Sequence, residues 1–339
     1  MQNRIALVGC GNVGTALLEI LNEKRAELDA KYGFKFEVVL ICDLMKGTVM
    51  DPLGLDLPQV LNALHTKRGF MDFPPVRGTF PDMLQSSGAA ILAEATPTDL
   101  RTGEPGLSHI RAALARGMSV TTSNKGPLAV AFDELTKLAD ECGGHFRYEG
   151  AVMSGTPLIS MLKSGMAGCA VRKVQGILNG TTNYMITEMG EGRSYAQALE
   201  DAQALGYAEA DPSGDVEGWD AAVKVSILSK ILFGRDVPVA DVERAGITGV
   251  TPERVAEARE AGFAVKLLAG IDNGESGFRA WVAPKDVPLS EPLASISGAT
   301  NAVTITTDNL GDVTLVGPGA GRRETGQALL ADIIAFSKA

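Results

Sequence analysis

The sequence predicts an α/β protein of two domains: a doubly wound parallel sheet, then an α+β domain with an open, largely antiparallel sheet. Strand and helix patterns alternate in the amino-terminal half, beginning with "RIALVGCGNVGTALLEIL" and "FEVVLICD". From about Glu149 the pattern changes to strands joined by short turns, such as "AVTITTDN" and "GDVTLVGPG". A chain of 339 residues also exceeds the usual size of one hydrophobic core.

The last helical pattern, "RETGQALLADIIAF", follows a glycine-rich turn, and we expect it to pack back on the first domain. The first domain is therefore predicted to be discontinuous, with residues 1–148 and 317–339. Residues 149–316 are assigned to the second domain.

Composition argues against several classes of partner. The formal charge of −10 repels nucleic acid backbones and anionic lipids, and no apolar run approaches the roughly 20 residues that span a bilayer. The chain enters a strand directly after "MQN", without the pattern of a signal peptide, so we expect a cytoplasmic protein. Its four cysteines are scattered, which favours reduced thiols over disulfides or a zinc site.

Gly9, Gly11 and Gly14 form a GxGxxG motif between the first strand and the first helix. In a Rossmann-type domain these glycines allow a tight turn, close approach of a pyrophosphate and close helix packing. Asp43 ends the second strand, where a carboxylate holds ribose hydroxyls and repels a 2′-phosphate. Lys46 is near enough to offset that repulsion, so the motif predicts NAD or NADP. The alternative is merely a tight turn.

A second polar segment, "TTSNKGPLA", ends a strand and begins a helix, which puts Ser123, Asn124 and Lys125 at the carboxyl edge of the sheet. Ligands bind at this edge, although a solvated loop lysine is the alternative. The segment "EGAVMSGTPLI" repeats the design and is equally compatible with a tight connection.

The stretch "GYAEADPSGDVEGWDAAVKVSILSK" is strongly acidic and leads into an apolar helix predicted over residues 216–233. Asp215 suits the start of that helix because of the helix dipole. Asp220 and Lys224 are four residues apart and share a face, with Glu217 predicted one turn earlier. One interpretation is an exposed ion pair. The other is a lysine that carboxylates hold protonated for acid/base chemistry.

Five motifs in this order, "GCGNVG", "TSNKGPLA", "GILNGTTNY", "GYAEADPSGDVEGWDAAVK" and "GPGAG", resemble homoserine dehydrogenase across essentially the whole chain. Members interconvert aspartate β-semialdehyde and homoserine with NAD(P)H, and many are dimers joined through the second domain. The resemblance thus implies a small-molecule substrate, a homodimer and a substrate-binding and dimerisation role for residues 149–316. It also implies a short form that lacks the regulatory domain of many bacterial members.

The resemblance further implies roles for individual residues. The implied catalytic residues are Lys224, Lys125 and Asp220. Those of the substrate site are Glu209, Asp215 and Gly206. Those of the cofactor site are Gly9, Gly11, Asn12, Val13, Gly14, Asp43, Thr96, Ser123, Lys125 and Gly321. The backbone of Glu149, Val152, Ser154 and Thr156 matches a sodium site found in some members.

Two other functions are compatible with this architecture. One is a different two-domain NAD(P)-dependent oxidoreductase acting on an amino acid or a sugar. The other is a non-catalytic NAD(P)-binding sensor, which has no need to retain both lysines and the carboxylates. Phosphorylating semialdehyde dehydrogenases use a cysteine nucleophile, and Cys169 has no evident base near it in sequence.

Overall fold

The structure, a computed structural model, describes residues 3–66, 69–274 and 277–338. The chain divides into two compact units. Unit 1 comprises residues 1–157 and 321–339, and unit 2 comprises residues 158–320. No helix among the described residues is long and apolar enough to cross a membrane.

Unit 1 is built on a six-stranded sheet with the order β3-β2-β1-β4-β5-β6. Its strands are β1 (Asn3–Val8), β2 (Phe36–Asp43), β3 (Gly47–Met50), β4 (Ile91–Glu94), β5 (Ser119–Thr122) and β6 (Phe146–Arg147). All neighbours pair in parallel except β2 and β3, which form an antiparallel hairpin. The predicted parallel sheet is confirmed, and β3 is an additional strand that the sequence analysis did not identify.

Helices cover both faces of this sheet. They are α1 (Asn12–Tyr32), α2 (Leu57–His65), α3 (Phe80–Ser87), α4 (Gly106–Leu114), α5 (Lys125–Cys142) and the short α6 (Gly150–Met153). Successive strand residues point to opposite faces, so Ile5 and Leu7 of β1 join the core beneath α1 and α2. Ala6 and Val8 join the core beneath α3, α4 and α5. This is the doubly wound arrangement.

Unit 2 contains a second six-stranded sheet with helices. In chain order its α-helices and strands are α7 (Leu158–Ser160), β7 (Val171–Ile177), α8 (Gly180–Gly190), α9 (Tyr195–Ala204), α10 (Ser213–Val216), α11 (Trp219–Phe233), β8 (Glu243–Arg244), α12 (Pro252–Glu260), β9 (Phe263–Gly274), β10 (Gly277–Pro288), β11 (Thr300–Thr307) and β12 (Asp312–Pro318). The strand order is β12-β11-β7-β9-β10-β8. Only the short β8 pairs in parallel, with β10, so the largely antiparallel sheet is confirmed.

The helix predicted over residues 216–233 begins later than the sequence suggested. Gly218 has a φ of +82° and interrupts the chain between α10 and α11. Glycine adopts a left-handed conformation readily because it has no Cβ. A residue in that conformation cannot continue a right-handed helix. As a result Glu217 lies before α11 and not on its first turn, contrary to the prediction.

The last helix, α13 (Arg322–Phe336), belongs to unit 1, where Leu329 and Ile333 share the core beneath α1. The first break between the units falls after residue 157, whereas the sequence suggested 148. A Cβ added to Gly150 of α6 would lie 3.0 Å from the Cβ of Ser123 and 3.5 Å from that of Ala328. This close packing keeps α6 in unit 1.

Candidate active site

The glycine-rich turn of unit 1 contains two glycines that backbone atoms contact closely and one glycine that faces open space. A Cβ on Gly9 would lie 2.4 Å from the Ala95 carbonyl oxygen, and one on Gly14 would lie 2.0 Å from the Gly9 oxygen. A Cβ on Gly11 would meet nothing within 4 Å. Asn12 and Val13 then begin α1, whose amino end has no side-chain cap. Such an exposed helix start fits the phosphates of a dinucleotide.

Asp43 joins the end of β2 to this turn. One carboxylate oxygen accepts a 2.7 Å hydrogen bond from the Cys10 N–H. The other accepts hydrogen bonds of 2.9 Å from the backbone N–H groups of Met45 and Lys46. The Lys46 ammonium donates to the Cys10 carbonyl. Both charged groups are therefore engaged with the backbone next to the motif.

A buried carboxylate lies beneath the carboxyl ends of β4 and β5. Glu94 is 0% exposed and accepts hydrogen bonds of 2.6 Å from the Thr122 hydroxyl and 2.8 Å from the Thr96 N–H. Burial raises the pKa of Glu94, against the opposing effect of these donors. The sequence analysis missed Glu94, although a glutamate inside the apolar pattern "AAILAEAT" was a signal.

Lys125 is the first residue of α5 and follows Asn124. Asn124 caps the helix, with its side-chain oxygen accepting a 3.0 Å hydrogen bond from the Gly126 N–H. The Asn124 amide also donates to the carbonyl oxygen of Thr96 over 3.3 Å. The structure thus joins Asn124 to Thr96 at the ends of neighbouring strands, with Ser123 and Lys125 on either side of Asn124 in the chain.

Glu149, Val152, Ser154 and Thr156 are all buried in and around α6. Ser154 has a φ of +51° and is the one non-glycine residue with a positive φ in the part of the chain that the structure describes. Its hydroxyl lies 2.7 Å from that of Thr325, which donates to the Gly321 carbonyl over 2.7 Å. Backbone oxygens in such a buried bend fit a hard cation. Among the described residues no group of three or more His, Cys, Asp or Glu is arranged to hold a metal.

Lys224 of unit 2 is buried, with 6% of the residue exposed. Its ammonium lies 2.8 Å from an oxygen of Asp220 and donates a 2.6 Å hydrogen bond to the Leu178 carbonyl. The interpretation of this pair as an exposed ion pair is therefore wrong. A buried ammonium needs such partners because desolvation penalises its charge.

Asn179 connects the two aspartates of this group, and the sequence analysis did not single it out. Its amide nitrogen donates hydrogen bonds of 2.7 Å to Asp215 and 3.1 Å to Asp220. Asn179 is also the residue that caps α8. Its place in "GILNGTTNY", directly before a predicted helix, was the available signal.

Glu217 does not share the face of Lys224. It is exposed, and its carboxylate accepts a 3.0 Å hydrogen bond from the Trp219 indole. The Arg244 guanidinium lies 3.4 Å from the centroid of a Trp219 ring. The cause is the break at Gly218, which turns residue 217 away from α11.

Gly206 and Glu209 lie on an exposed loop between α9 and α10. Gly206 has a φ of +76°. The Thr181 hydroxyl of α8 donates a 2.6 Å hydrogen bond to the Tyr207 carbonyl, and this bond ties the loop to the helix that Asn179 caps.

Two family models match this chain. One, described as homoserine dehydrogenase, matches residues 157–334. The other, described as the NAD binding domain of homoserine dehydrogenase, matches residues 9–149. The chain belongs to the homoserine dehydrogenase family. It is therefore an NAD(P)-dependent oxidoreductase, as the motifs indicated.

Relatives of similar length support this placement. The chain is 42% identical to the NAD(+)-dependent homoserine dehydrogenase of Pseudomonas canavaninivorans, over 98% of this chain and 96% of that protein. It is 36% identical to a homoserine dehydrogenase of Methanocaldococcus jannaschii, over 97% of each. A hyperthermophilic archaeal homoserine dehydrogenase solved in complex with NADPH superposes with a TM-score of 0.84 at 31% identity, over 100% of this chain and 99% of that chain.

The contrast between Gly14 and Gly11 can be tested with matched alanine substitutions. Gly14→Ala should lower the free energy of unfolding by at least about 2 kcal/mol, because the clash with the Gly9 carbonyl outweighs the roughly 1 kcal/mol that alanine gains in a helix. Gly11→Ala should stay within about 0.5 kcal/mol of wild type yet bind the cofactor more weakly. Urea unfolding and fluorescence titration with NAD measure the two effects. Equal stability loss in both variants would contradict the assignment.

Proposed function

We propose that the protein interconverts L-aspartate 4-semialdehyde and L-homoserine with NAD(P), using Lys224 as the acid/base group. This reaction belongs to the branch of the aspartate pathway that leads to threonine, methionine and isoleucine. The observation that carries the proposal is the buried Lys224 ammonium, held between the Asp220 carboxylate and the Leu178 carbonyl. A sensor that only binds the cofactor would not require a buried charge of this kind.

When bound, the nicotinamide supplies the hydride that reduces the aldehyde carbon. Negative charge then develops on the carbonyl oxygen, and the Lys224 ammonium donates a proton to it, which yields the hydroxyl group and a neutral amine. In the oxidative direction the neutral amine takes the proton back. Asp220 is the counter-charge for the protonated state, and its contact with Lys224 also fixes the direction of the lysine side chain.

We assign the acidic residues Glu209 and Asp215, together with Gly206, to the substrate site. The carboxylates of Glu209 and Asp215 suit the α-ammonium group, and the backbone of Gly206 supports the turn of the loop. Lys125, the first residue of α5, is the second catalytic cation. Its place two residues after Ser123, at the carboxyl end of β5, supports contact with the cofactor as well.

We further propose that NAD is the preferred cofactor, held by the turn from Gly9 to Gly14, by Asp43, Thr96 and Ser123, and by Gly321. Asp43 puts a carboxylate where the 2′-phosphate of NADP would add negative charge. The Lys46 ammonium, which could offset this repulsion, donates to the Cys10 carbonyl. The Pseudomonas relative is named for dependence on NAD(+), which is consistent with this preference.

A sodium ion held by backbone oxygens of Glu149, Val152, Ser154 and Thr156 also remains a proposal. Its support is the burial of these residues and the positive φ of Ser154. Replacing sodium by choline in the assay buffer should lower turnover or stability if the ion is bound. The cytoplasmic location stays a prediction from the sequence.

The acid/base role of Lys224 predicts a specific pattern among variants. Wild type should reduce NAD or NADP with L-homoserine, and Lys224→Ala should lower kcat by about 10²- to 10⁴-fold with cofactor affinity retained. Lys224→Arg should not restore turnover, because a guanidinium does not give up its proton. Lys230→Ala, on the last turn of the same helix, serves as the control and should leave kcat nearly unchanged.

Absorbance at 340 nm measures each of these rates. A wild-type protein that binds cofactor but oxidises no homoserine would overturn the proposed function. An active arginine variant would leave the function standing and remove Lys224 from the acid/base role.

The cofactor preference predicts that kcat/KM is higher with NAD than with NADP. Asp43→Asn should shift the ratio towards NADP by about tenfold or more, because the repulsion of the 2′-phosphate is removed. Its absolute activity should fall as well, since Asp43 also holds the Cys10 N–H. Steady-state kinetics with both cofactors decide the matter, and an unchanged ratio counts against Asp43 as the determinant.

We also propose a homodimer, which the family resemblance implies. Among the described residues, β12 is the last strand in the order of its sheet, and it exposes Val316, so it is an edge that a partner would cover. Light scattering should give twice the 35.5 kDa of one chain at micromolar concentration. A mass of one chain under those conditions would refute the dimer.

A further inference from the structure

Asn179 has an amide orientation that the backbone fixes. Its side-chain oxygen accepts hydrogen bonds of 2.9 Å from the N–H and from the hydroxyl of Thr182. A backbone N–H can only donate, so the oxygen must face Thr182 and the NH₂ group must face the opposite way. The residue is 6% exposed. The cap of α8 thus aims two hydrogen-bond donors at whatever lies on the other side.

What lies there is a pair of carboxylates. The Asn179 nitrogen donates over 2.7 Å to Asp215 and over 3.1 Å to Asp220, and the same Asp220 oxygen lies 2.8 Å from the Lys224 ammonium. Two carboxylates that approach one nitrogen repel each other when both are ionised, and proton uptake by one would relieve the repulsion. An amide NH₂ group cannot accept a hydrogen bond from a protonated carboxyl group. It therefore favours the ionised form of both aspartates, whose oxygens accept its hydrogen bonds.

We propose that Asn179 is a positioning residue, which keeps Asp220 ionised against Lys224 and keeps Asp215 ionised for the substrate ammonium. This inference rests on the proposed function. In the described part of the chain, Asp215 from α10 and Asp220 from α11 accept hydrogen bonds from the amide, and Lys224 from α11 contacts Asp220. The ammonium of Lys266, from β9, lies 3.4 Å from the side-chain oxygen of Asn183, one turn further along α8.

The simpler interpretation is that Asn179 only caps α8. Asn179→Asp separates the two interpretations, because aspartate is as good a cap as asparagine and keeps the acceptor for Thr182. The substitution replaces the two donors by a third carboxylate. Asn179→Ser also keeps a cap acceptor, but its single hydroxyl can donate to only one carboxylate.

Under the positioning role, Asn179→Asp should lower kcat about 10- to 100-fold at pH 8 and raise the KM for homoserine. The affinity for NAD should be unchanged, because the cofactor residues lie in unit 1. The ratio of mutant to wild-type kcat should rise as the pH falls towards 6, since the added carboxyl group takes up a proton and regains a donor. Asn179→Ser should lose about tenfold, with a ratio that does not depend on pH.

Ser194→Ala supplies the control for loss of a cap. Ser194 caps α9 in a capping box with Gln197, on an exposed helix start. This variant should have a lower melting temperature and wild-type kcat.

Kinetics from pH 6 to 9, melting temperatures and NAD titrations on all four proteins complete the test. Wild-type kcat in Asn179→Asp, or a pH-independent ratio in that variant, would overturn the positioning role. If Asn179→Asp does not fold, wild-type kcat in Asn179→Ser overturns it instead. Failure of the wild type to oxidise homoserine would refute the proposed function, and is thereby distinguished from failure of this inference.

Discussion

The organisation of unit 2 depends on one constraint, which is that the buried Lys224 ammonium must have partners that compensate its charge. Its carboxylate partner is Asp220, one turn earlier on α11, and its carbonyl partner is Leu178, which directly follows β7. Removing either partner would leave a charge in a low-dielectric interior, which costs several kcal/mol. The pairing therefore fixes α11 against the start of α8. The same contact that stabilises the fold also directs the proposed proton donor.

Unit 1 holds a buried charge in another way. Glu94 is enclosed beneath the sheet edge, and its described hydrogen bonds come from the hydroxyls of Thr96 and Thr122 and from a backbone N–H. Burial raises the pKa of Glu94, and these neutral donors oppose that rise without cancelling it. The hydrogen bonds nevertheless hold two strand ends together. Thr96 and Asn124 are thus held by a carboxylate that is fully shielded from solvent.

Sequence patterns predicted both sheets and the pairing of Asp220 with Lys224, because each follows from a local period. A separation of four residues on a helix is sufficient to put two side chains together. The role of Asn179 could not be predicted in this way, since it lies 36 residues from Asp215 and meets it only through the packing of α8 and α10. The error on Glu217 has a local cause. Gly218 was available in the sequence, but a glycine alone does not specify the left-handed conformation that it adopts here.

The segment between Leu44 and Gly88 shows why a motif can be recognised while its support cannot. It has no long period because it is made of the short elements β3, α2 and α3. Yet the Phe70 N–H donates a 2.8 Å hydrogen bond to the Lys46 carbonyl, and Gly69 packs directly on the Lys46 backbone. Lys46 in turn donates to Cys10 inside the glycine-rich turn. The segment with the weakest sequence pattern therefore supports the glycine-rich turn, which has the strongest pattern. A substitution in the loops of this segment can thus alter cofactor binding without changing a motif residue.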